Sequence, residues 1–191
     1  TATIAISGVS GGGATESGSQ SVTISILDDE SVPRVTLTVS ATSIAENAGT
    51  SLTLTATLSK TASEDVTVTL GTSGSATEGT DYGSLSNITV TAGSLTGTTT
   101  FTPTDDSIYD ATSNETATVS IDSVSGGDAL ENGTQSVTIT ITDNESAPTV
   151  TLSRGAAAID EDSGSTVTIT ATLSVATFQD VTVTIDGTGG T

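Results

Sequence analysis

The sequence lacks the residue types on which most catalytic and metal sites depend. It has no Cys, His, Met or Trp, and its aromatic residues are two Tyr and two Phe. Disulfides, thiolate metal sites and histidine ligands are therefore excluded. Positive charge is also scarce, since 3 Lys and Arg stand against 23 Asp and Glu, for a net charge of −20. That balance excludes nucleic acid and anionic membranes as natural partners, and no long apolar run predicts membrane insertion.

What is present is an alternation of apolar residues with Thr and Ser. Hydrophobic residues make up 33% of the chain and aromatic residues 2%, so any core is thin and built from Val, Ile, Leu and Ala. Period-2 alternation is typical of half-buried antiparallel strands. Short strands separated by turn residues predict an all-β sandwich of about seven strands. The predicted strands cover 35–45, 52–59, 65–70, 87–92, 97–103, 116–122 and 135–142.

The sequence repeats itself at an offset of 115 residues. Ser21–Leu37 matches Ser136–Leu152 at twelve of seventeen positions, and Ile44–Ser59 resembles Ile159–Ser174 at the same offset. Ser7–Gln20 pairs with the segment from Ser123 to Gln135 if one slip is allowed. Self-similarity at a fixed period indicates tandem modules.

The repeat divides the chain into three predicted modules. The first module is the C-terminal part of one copy (1–30), the central module is complete (34–146), and the third module is the N-terminal part of another (149–191). The acidic joints Asp28–Pro33 and Asp143–Pro148 are too short for flexible linkers, so neighbouring modules should touch.

Strand direction predicts where the acidic residues gather. If the strands alternate in direction, the turns after the first, third, fifth and seventh strands share one end of the module, which we name the lower end. Acidic residues crowd the loops predicted at the lower end: Glu46, Glu78, Asp81, Asp105, Asp106, Asp110, Glu115, Asp143 and Glu145. The opposite, upper end carries fewer: Glu64, Asp65, Asp128 and Glu131.

Such a cluster of like charges requires a partner. Carboxylates a few ångströms apart repel by about 1 kcal/mol per pair even in water, and the chain has only 3 basic residues to offset them. Either some carboxyl groups are protonated or a cation lies among them. Oxygen ligands without His or Cys favour Ca²⁺, with Mg²⁺ second. No EF-hand pattern is present, so the site would be assembled from separate loops.

A series of short motifs follows in a fixed order along the central module. They are Glu46-Asn-Ala-Gly49, Ala76-Thr-Glu-Gly-Thr-Asp81-Tyr82, Thr98-Thr-Thr-Phe101-Thr-Pro-Thr-Asp105-Asp106, the pair Asp110 and Glu115, and the closing Asp143-Asn-Glu145. In this order they resemble the Calx-β domain, in the form found in bacterial extracellular repeats. The Gly-Thr-Asp-Tyr loop is the most specific element.

The resemblance implies an immunoglobulin-like antiparallel sandwich that binds Ca²⁺ at the end facing the next module. The implied ligands are Glu46, Asp81, Asp105, Asp106, Asp110, Glu115, Asp143 and Glu145, with partial sites at Asp28, Asp29, Glu30 and Glu161. One departure from the family is Asn144, where Asp29 stands one repeat earlier. This difference implies a lower affinity or fewer ions.

No enzymatic function is expected. The chain has no His base, and a carboxylate-pair glycosidase would need an aromatic sugar platform that the sequence does not supply. The leading hypothesis is a structural segment of a long secreted protein at the bacterial cell surface or of an extracellular filament, stiffened by calcium at the joints. Its partners are then neighbouring modules and possibly identical chains. The alternatives are an adhesin segment presenting a ligand-binding domain, a strand-complemented filament subunit and, more weakly, a cytosolic Ca²⁺ sensor.

Overall fold

The computed structural model describes residues 1–27, 29–110 and 114–189. The chain divides into two compact units, Thr1–Val32 and Pro33–Thr191. Within the described residues the secondary structure is almost entirely β, apart from a single 3₁₀ turn at Glu161–Ser163. None of the described residues belongs to a helix that is long and apolar enough to cross a bilayer.

The first unit contains one antiparallel hairpin. Strand β1 (Ala2–Ala5) pairs with β2 (Ser21–Ile24), with Ala2 opposite Ile24. Both strands are exposed along their whole length. A two-stranded hairpin has no second layer against which to bury its apolar face.

The second unit contains the remaining strands. They are β3 (Arg34–Val39), β4 (Ser43–Ala45), β5 (Leu52–Leu58), β6 (Val66–Gly74), β7 (Ile88–Val90), β8 (Thr96–Phe101), β9 (Ile108–Tyr109), β10 (Asn114–Ser125), β11 (Leu130–Glu131), β12 (Ser136–Thr142), β13 (Val150–Arg154), β14 (Ile169–Leu173) and β15 (Ala176–Thr177). Strands β3 to β12 form the central module.

Two sheets of the central module enclose one core, which confirms the predicted all-β sandwich. The five-stranded sheet has the order β4-β12-β10-β6-β7, and the four-stranded sheet has the order β11-β3-β5-β8. Strand β5 is antiparallel to β3 and β8, β10 is antiparallel to β12 and β6, and β4 is parallel to β12. These pairings confirm the predicted alternation of direction. Strands β4, β6, β8 and β12 therefore all finish at the lower end.

The predicted first strand, 35–45, was wrong as a single element. The structure breaks it into β3 and β4, which belong to different sheets. The sequence shows why, because Val35 and Leu37 are buried at odd positions whereas Ile44 is buried at an even one. The alternation changes phase between them, so the chain must move to the other sheet to keep its apolar side chains in the core.

Other strand ends differ from the prediction for local reasons. Strand β10 is longer than the predicted 116–122, and its register shifts between Ile121 and Ser123, where a bulge admits one extra residue. Strand β6 extends beyond the predicted 65–70 to Gly74, whose φ is +126°. A Cβ there would lie 2.0 Å from the carbonyl oxygen of Thr116, so only glycine lets the two strands approach this closely.

Two aromatic rings anchor the lower half of the core. Tyr82 and Phe101 are 1% and 0% exposed, and their ring centroids lie 4.6 Å apart in a stacked arrangement. Aromatic pairs of this kind stabilise a core beyond the apolar area that they bury. Tyr82 directly follows Asp81, and Phe101 ends the strand that leads to Asp105 and Asp106, so the pair fixes the roots of two acidic loops.

The hairpins outside the central module repeat its pairing at the offset of 115. Strand β13 pairs with β14 so that Val150 lies opposite Leu173, the counterparts of Val35 and Leu58 in β3 and β5. Likewise, the pairing of β1 with β2 has the register of β10 with β12.

The slip expected between Ser7–Gln20 and its counterpart does not occur. Ile6 N–H donates to the Gln20 carbonyl at 3.2 Å, and Ile121 N–H donates to the Gln135 carbonyl at 3.1 Å. Both pairs are related by the same offset of 115, so the loop between the strands has the same length in both copies. The correct counterpart of Ser7 is Asp122, the bulge residue that the sequence comparison had skipped.

Candidate metal centre

The lower end of the central module contains a cavity of about 160 Å³. Loops that follow β4, β6, β8 and β12, together with the start of β10, bring their side chains to it. Six carboxylates line the cavity: Glu46, Asp81, Asp106, Asp110, Glu115 and Asp143. Four further residues complete the lining: Thr80, Ile108, Ile141 and Phe178. None of these described lining residues is basic.

Three carboxyl groups at one side of the cavity approach each other most closely. One oxygen from each of Glu46, Asp143 and Glu145 lies within 4.8 Å of the other two. Ca²⁺ binds oxygen at about 2.3–2.6 Å, so two ligand atoms of one ion are at most about 5 Å apart. The spacing of the triad therefore fits a single Ca²⁺ ion.

Asp143 is the best-supported member of the triad. Its Oδ2 accepts a hydrogen bond from Asp110 N–H at 2.8 Å, and its Oδ1 accepts one from Glu145 N–H at 2.8 Å. Partial burial works against its charge, but these donors outweigh burial and lower the pKa of Asp143 below its ordinary value. Asp143 is thus held as a carboxylate that orients the two neighbouring loops.

Glu46 and Glu115 are in the opposite electrostatic situation. Burial, followed by a side-chain hydrogen bond with Glu145, raises the pKa of Glu46 to about 7. Burial, followed by the charges of Asp81 and Asp110, raises the pKa of Glu115 to about 7. From the sequence we expected that some acids are protonated or that a cation lies among them. With pKa values of about 7, Glu46 and Glu115 are each partly protonated near neutral pH.

Glu145 has a carboxylate oxygen that lacks a hydrogen-bond donor or a positively charged partner among the described residues. Its Oε2 is shielded from solvent and accepts no hydrogen bond from any described residue. The pKa of Glu145 is raised, first through its side-chain hydrogen bond with Asp143, which requires a proton shared between two carboxyl groups. A cation would satisfy this oxygen without the shared proton.

The loop after β6 holds Asp81 at the other side of the cavity. Asp81 Oδ2 accepts a hydrogen bond from Thr77 N–H at 2.6 Å, and the Asp81 carbonyl accepts one from Thr104 N–H at 3.0 Å. The first bond closes the Gly-Thr-Asp-Tyr loop, and the second ties it to the loop after β8. Asp81 is therefore positioned by hydrogen bonds within its own loop and to the loop after β8.

Solved structures that resemble part of this chain include three crystal structures. The chain is similar to the crystal structure of CBD12 from CALX1.2, with 20% identity and a TM-score of 0.49 over 58% of this chain and 44% of that one. It is similar to the apo-form Calx CBD1 domain, with 18% identity and a TM-score of 0.48 over 59% of this chain and 99% of that one.

The third is a two-domain protein of unknown function from Bacteroides fragilis, with 10% identity and a TM-score of 0.41 over 65% of this chain and 55% of that one. The chain spans less than half the length of the CBD12 structure. No family model and no curated protein matches the sequence.

Three acidic residues of the lower end do not line the cavity: Glu145, which lies beside it next to Glu46 and Asp143, and also Asp105 and Glu78. Asp105 lines a neighbouring recess of about 200 Å³, which also contacts Glu46. Glu78 is engaged within its own loop, where its Oε1 accepts a hydrogen bond from Leu85 N–H at 3.0 Å. The consecutive residues Asp105 and Asp106 thus face different openings.

The partial sites are less developed. Asp28 lies outside the described residues, while Asp29 and Glu30 are exposed in the first unit. Glu161 begins the exposed 3₁₀ turn of the third module. A ligand role for these residues stays a prediction.

Sequence reasoning missed the four residues of the cavity wall that are not acidic, of which Ile108 and Ile141 are apolar strand residues and Thr80 and Phe178 lie in turns. Thr80 precedes Asp81, and its position within the Gly-Thr-Asp-Tyr loop could have indicated it. Phe178 belongs to the third module, where β15 pairs in parallel with β9 and Phe178 N–H donates to the Tyr109 carbonyl at 3.2 Å. The sequence had led us to expect that the third module touches this joint and that Asp180 lies close to it, but it gave no indication of Phe178, which lines the cavity two residues earlier.

Proposed function

We propose that the central module binds Ca²⁺ through its lower-end carboxylates, and that the bound ion stiffens the joint with the third module. One observation carries the proposal: carboxylates from five separate segments line a single cavity, and Phe178 of the third module lines the same cavity. A site built from both sides of a joint connects ion binding to the geometry of that joint.

The donor set favours calcium over other metals. All six charged groups around the cavity are carboxylates, and the sequence offers neither Cys nor His for a softer metal. Ca²⁺ accepts six to eight oxygen ligands in flexible geometry, whereas Mg²⁺ requires a near-ideal octahedron. Ligands from several irregular loops suit the more permissive ion.

Electrostatic repulsion supplies the mechanism of stiffening. Without a cation the carboxylates around the cavity repel each other, which favours arrangements in which the loops move apart. With a cation, Glu46, Asp143 and Glu145 would be drawn together as ligands. Because Asp143 also accepts the N–H of Asp110, next to β9, this rearrangement would be transmitted to the β9–β15 contact.

In its biological setting, the segment would act as part of an extended rod in a secreted or surface-exposed protein. Repetition at 115 residues and the high negative charge support this reading. A rod of β-sandwich modules needs defined joints rather than catalytic groups. An ion bound at each joint would supply such a definition, because it would hold the loops of that joint together.

A strand-complemented filament is the second candidate. Val150 and Leu152 of the third module are 43% and 58% exposed, while their counterparts Val35 and Leu37 are buried in the central module. The apolar face of β13 and β14 could accept β1 and β2 of a second copy. Light scattering over a range of concentrations tests this: a Leu152→Asp variant should remove any self-association, and a wild-type chain that stays monomeric would exclude the candidate.

Small-angle scattering with and without chelator tests the calcium joint. The whole chain should become less flexible when Ca²⁺ is added and recover its flexibility in EDTA. A lower-end variant, Glu46→Gln with Asp143→Asn, should not respond. An upper-end variant, Glu64→Gln with Asp128→Asn, removes the same number of charges and should respond like the wild type. A wild-type scattering profile that is the same in Ca²⁺ and EDTA would contradict the proposal.

A further inference from the structure

Phe178 is the most unusual aromatic residue of the chain. Tyr82 and Phe101 are buried in the core, whereas Phe178 is 80% exposed and lies at the mouth of the lower-end cavity. A single exposed apolar residue is ordinary on a protein surface. An exposed ring at the rim of a cavity lined by six carboxylates is unusual, because charged groups are more stable next to water than next to an aromatic ring.

The backbone around Phe178 holds it in this position. Ala176 and Thr177 pair in parallel with Ile108 and Tyr109, and Phe178 N–H donates to the Tyr109 carbonyl. On the other side, Thr177 Oγ1 donates to the Gln179 carbonyl at 2.6 Å and closes a tight turn. The main chain of Phe178 is therefore held on both sides of the residue, next to Ile108, which lines the same cavity.

Comparison with the central module shows that the ring is specific to this joint. At the offset of 115 the segment Val175–Asp180 corresponds to Lys60–Asp65, and Phe178 corresponds to Ser63. Within the segment the charged residues Lys60 and Glu64 are replaced by Val175 and Gln179. The segment Val175–Asp180, which brings Phe178 to the acidic cavity, is therefore less charged and more apolar than its counterpart Lys60–Asp65 in the central module.

We propose that Phe178 is a positioning residue that shields the calcium site of the central module from water, so that ion affinity depends on the third module. The inference rests on the proposed function and names how that site is regulated. Attraction between a cation and carboxylates grows as the effective dielectric constant falls, and the exposed ring of Phe178 would lower that constant by closing over the mouth when the ion binds and excluding water. Phe178 itself contributes no ligand atom.

The test compares Ca²⁺ affinities of four whole-chain proteins by calorimetric titration with CaCl₂. Phe178→Ser introduces the residue found one repeat earlier and should weaken binding by about fivefold, because water enters the site. Phe178→Tyr keeps the ring and should bind within twofold of the wild type. Ile185→Ser is the matched control, since Ile185 is 58% exposed in the same module and lies away from the cavity lining.

A second measurement separates shielding from a general structural effect. The chain has no Trp, so Phe178→Trp places a single reporter at the joint. Its emission should shift to shorter wavelength, and acrylamide should quench it less, when CaCl₂ is added. Unchanged emission during Ca²⁺ binding, or equal affinities of Phe178→Ser and the wild type, would overturn the inference while leaving the proposed function intact. A wild-type chain that binds no Ca²⁺ would overturn both.

Discussion

The two ends of the central module use the same residue types for different purposes. At the upper end, Asp65 Oδ1 accepts a hydrogen bond from Ala92 N–H at 2.8 Å, and Glu131 Oε1 accepts one from Gln135 N–H at 2.5 Å. Each of these carboxylates caps a turn with its own backbone donor. At the lower end Asp143 does the same, but it also shares its surroundings with Glu46 and Glu145.

The difference lies in where the strands finish rather than in the kind of acid. Four strand ends converge at the lower end, so carboxylates far apart in sequence are forced to share one cavity. The charged forms of Glu46 and Glu115 are disfavoured in this cavity, and their pKa values are raised to about 7 mainly by burial. Crowded acids with raised pKa values are a common sign of a functional site, and the following predictions test this contrast.

The largest effect should come from removing the ring that supports the lower end. Tyr82→Ala should lower the free energy of unfolding by about 3–5 kcal/mol, the usual cost of deleting a buried aromatic ring. Because Tyr82 follows Asp81, the variant should also lose Ca²⁺ affinity. Urea unfolding in EDTA measures the first effect. Tyr82→Phe, which keeps the stack on Phe101, should stay within about 1 kcal/mol of the wild type. Equal stability of Tyr82→Ala and wild type would contradict this role.

The next effect is stabilisation by calcium. At a Ca²⁺ concentration a hundredfold above the dissociation constant, the wild type should gain about 2.7 kcal/mol and melt at a higher temperature. The lower-end variant should lose this gain, whereas the upper-end variant should keep it. Thermal unfolding followed by circular dichroism provides the measurement. If both variants respond equally, the contrast between the two ends has no bearing on ion binding.

A smaller effect is expected from pH in the absence of calcium. Glu46 and Glu115 have folded-state pKa values of about 7, above their ordinary value of 4.5, so their contribution to stability is complete below about pH 4.5 and is lost as the pH rises through 7. Both groups are partly exposed to solvent, so screening reduces the combined loss to on the order of 1 kcal/mol.

The measurement is denaturant unfolding in EDTA between pH 5 and pH 8, where stability should fall. Added Ca²⁺ should reverse the trend, because deprotonated carboxylates bind the ion more strongly. The lower-end variant should show a flatter pH dependence in EDTA, since Glu46 no longer titrates. Stability that rises with pH in the metal-free wild type would show that the lower-end acids do not repel in the way described.

The smallest effect should come from the upper end. Glu131→Gln keeps an oxygen that can accept the Gln135 N–H, so it should cost about 0.5 kcal/mol at most. Its Ca²⁺ affinity should equal that of the wild type. Glu16 makes the equivalent bond to Gln20 N–H in the first unit, which indicates a purely structural turn. A change in Ca²⁺ affinity in Glu131→Gln would mean that the two ends are not independent.

Much of the fold followed from the sequence because strand patterning is local. Alternating Thr and apolar residues located the strands, and the repeated registers of β13 with β14 and β3 with β5 show that hairpin pairing depends on the two strands themselves. The break between β3 and β4 was missed. The change of phase between Leu37 and Ile44 marks the break in the sequence, but which sheet receives Ile44 is determined only by the assembled core.

The candidate site was predicted less completely, for a related reason. Direction alone brought Glu46, Asp81 and Asp143 to one end, and the structure brings all three to the cavity. Direction could not separate Asp105 from Asp106, since beyond Phe101 the chain leaves the regular alternation that assigns side chains to faces. Phe178 could not be found at all, because its role depends on contact with another module.

The central claim is that the lower-end carboxylates bind Ca²⁺. Equilibrium dialysis of the whole chain against micromolar Ca²⁺, with bound metal quantified by elemental analysis, tests it most directly. The wild type and the upper-end variant should each retain at least one Ca²⁺ per chain, and the lower-end variant should retain less. A wild-type chain that retains no Ca²⁺, or a lower-end variant that retains as much as the upper-end variant, would contradict the claim.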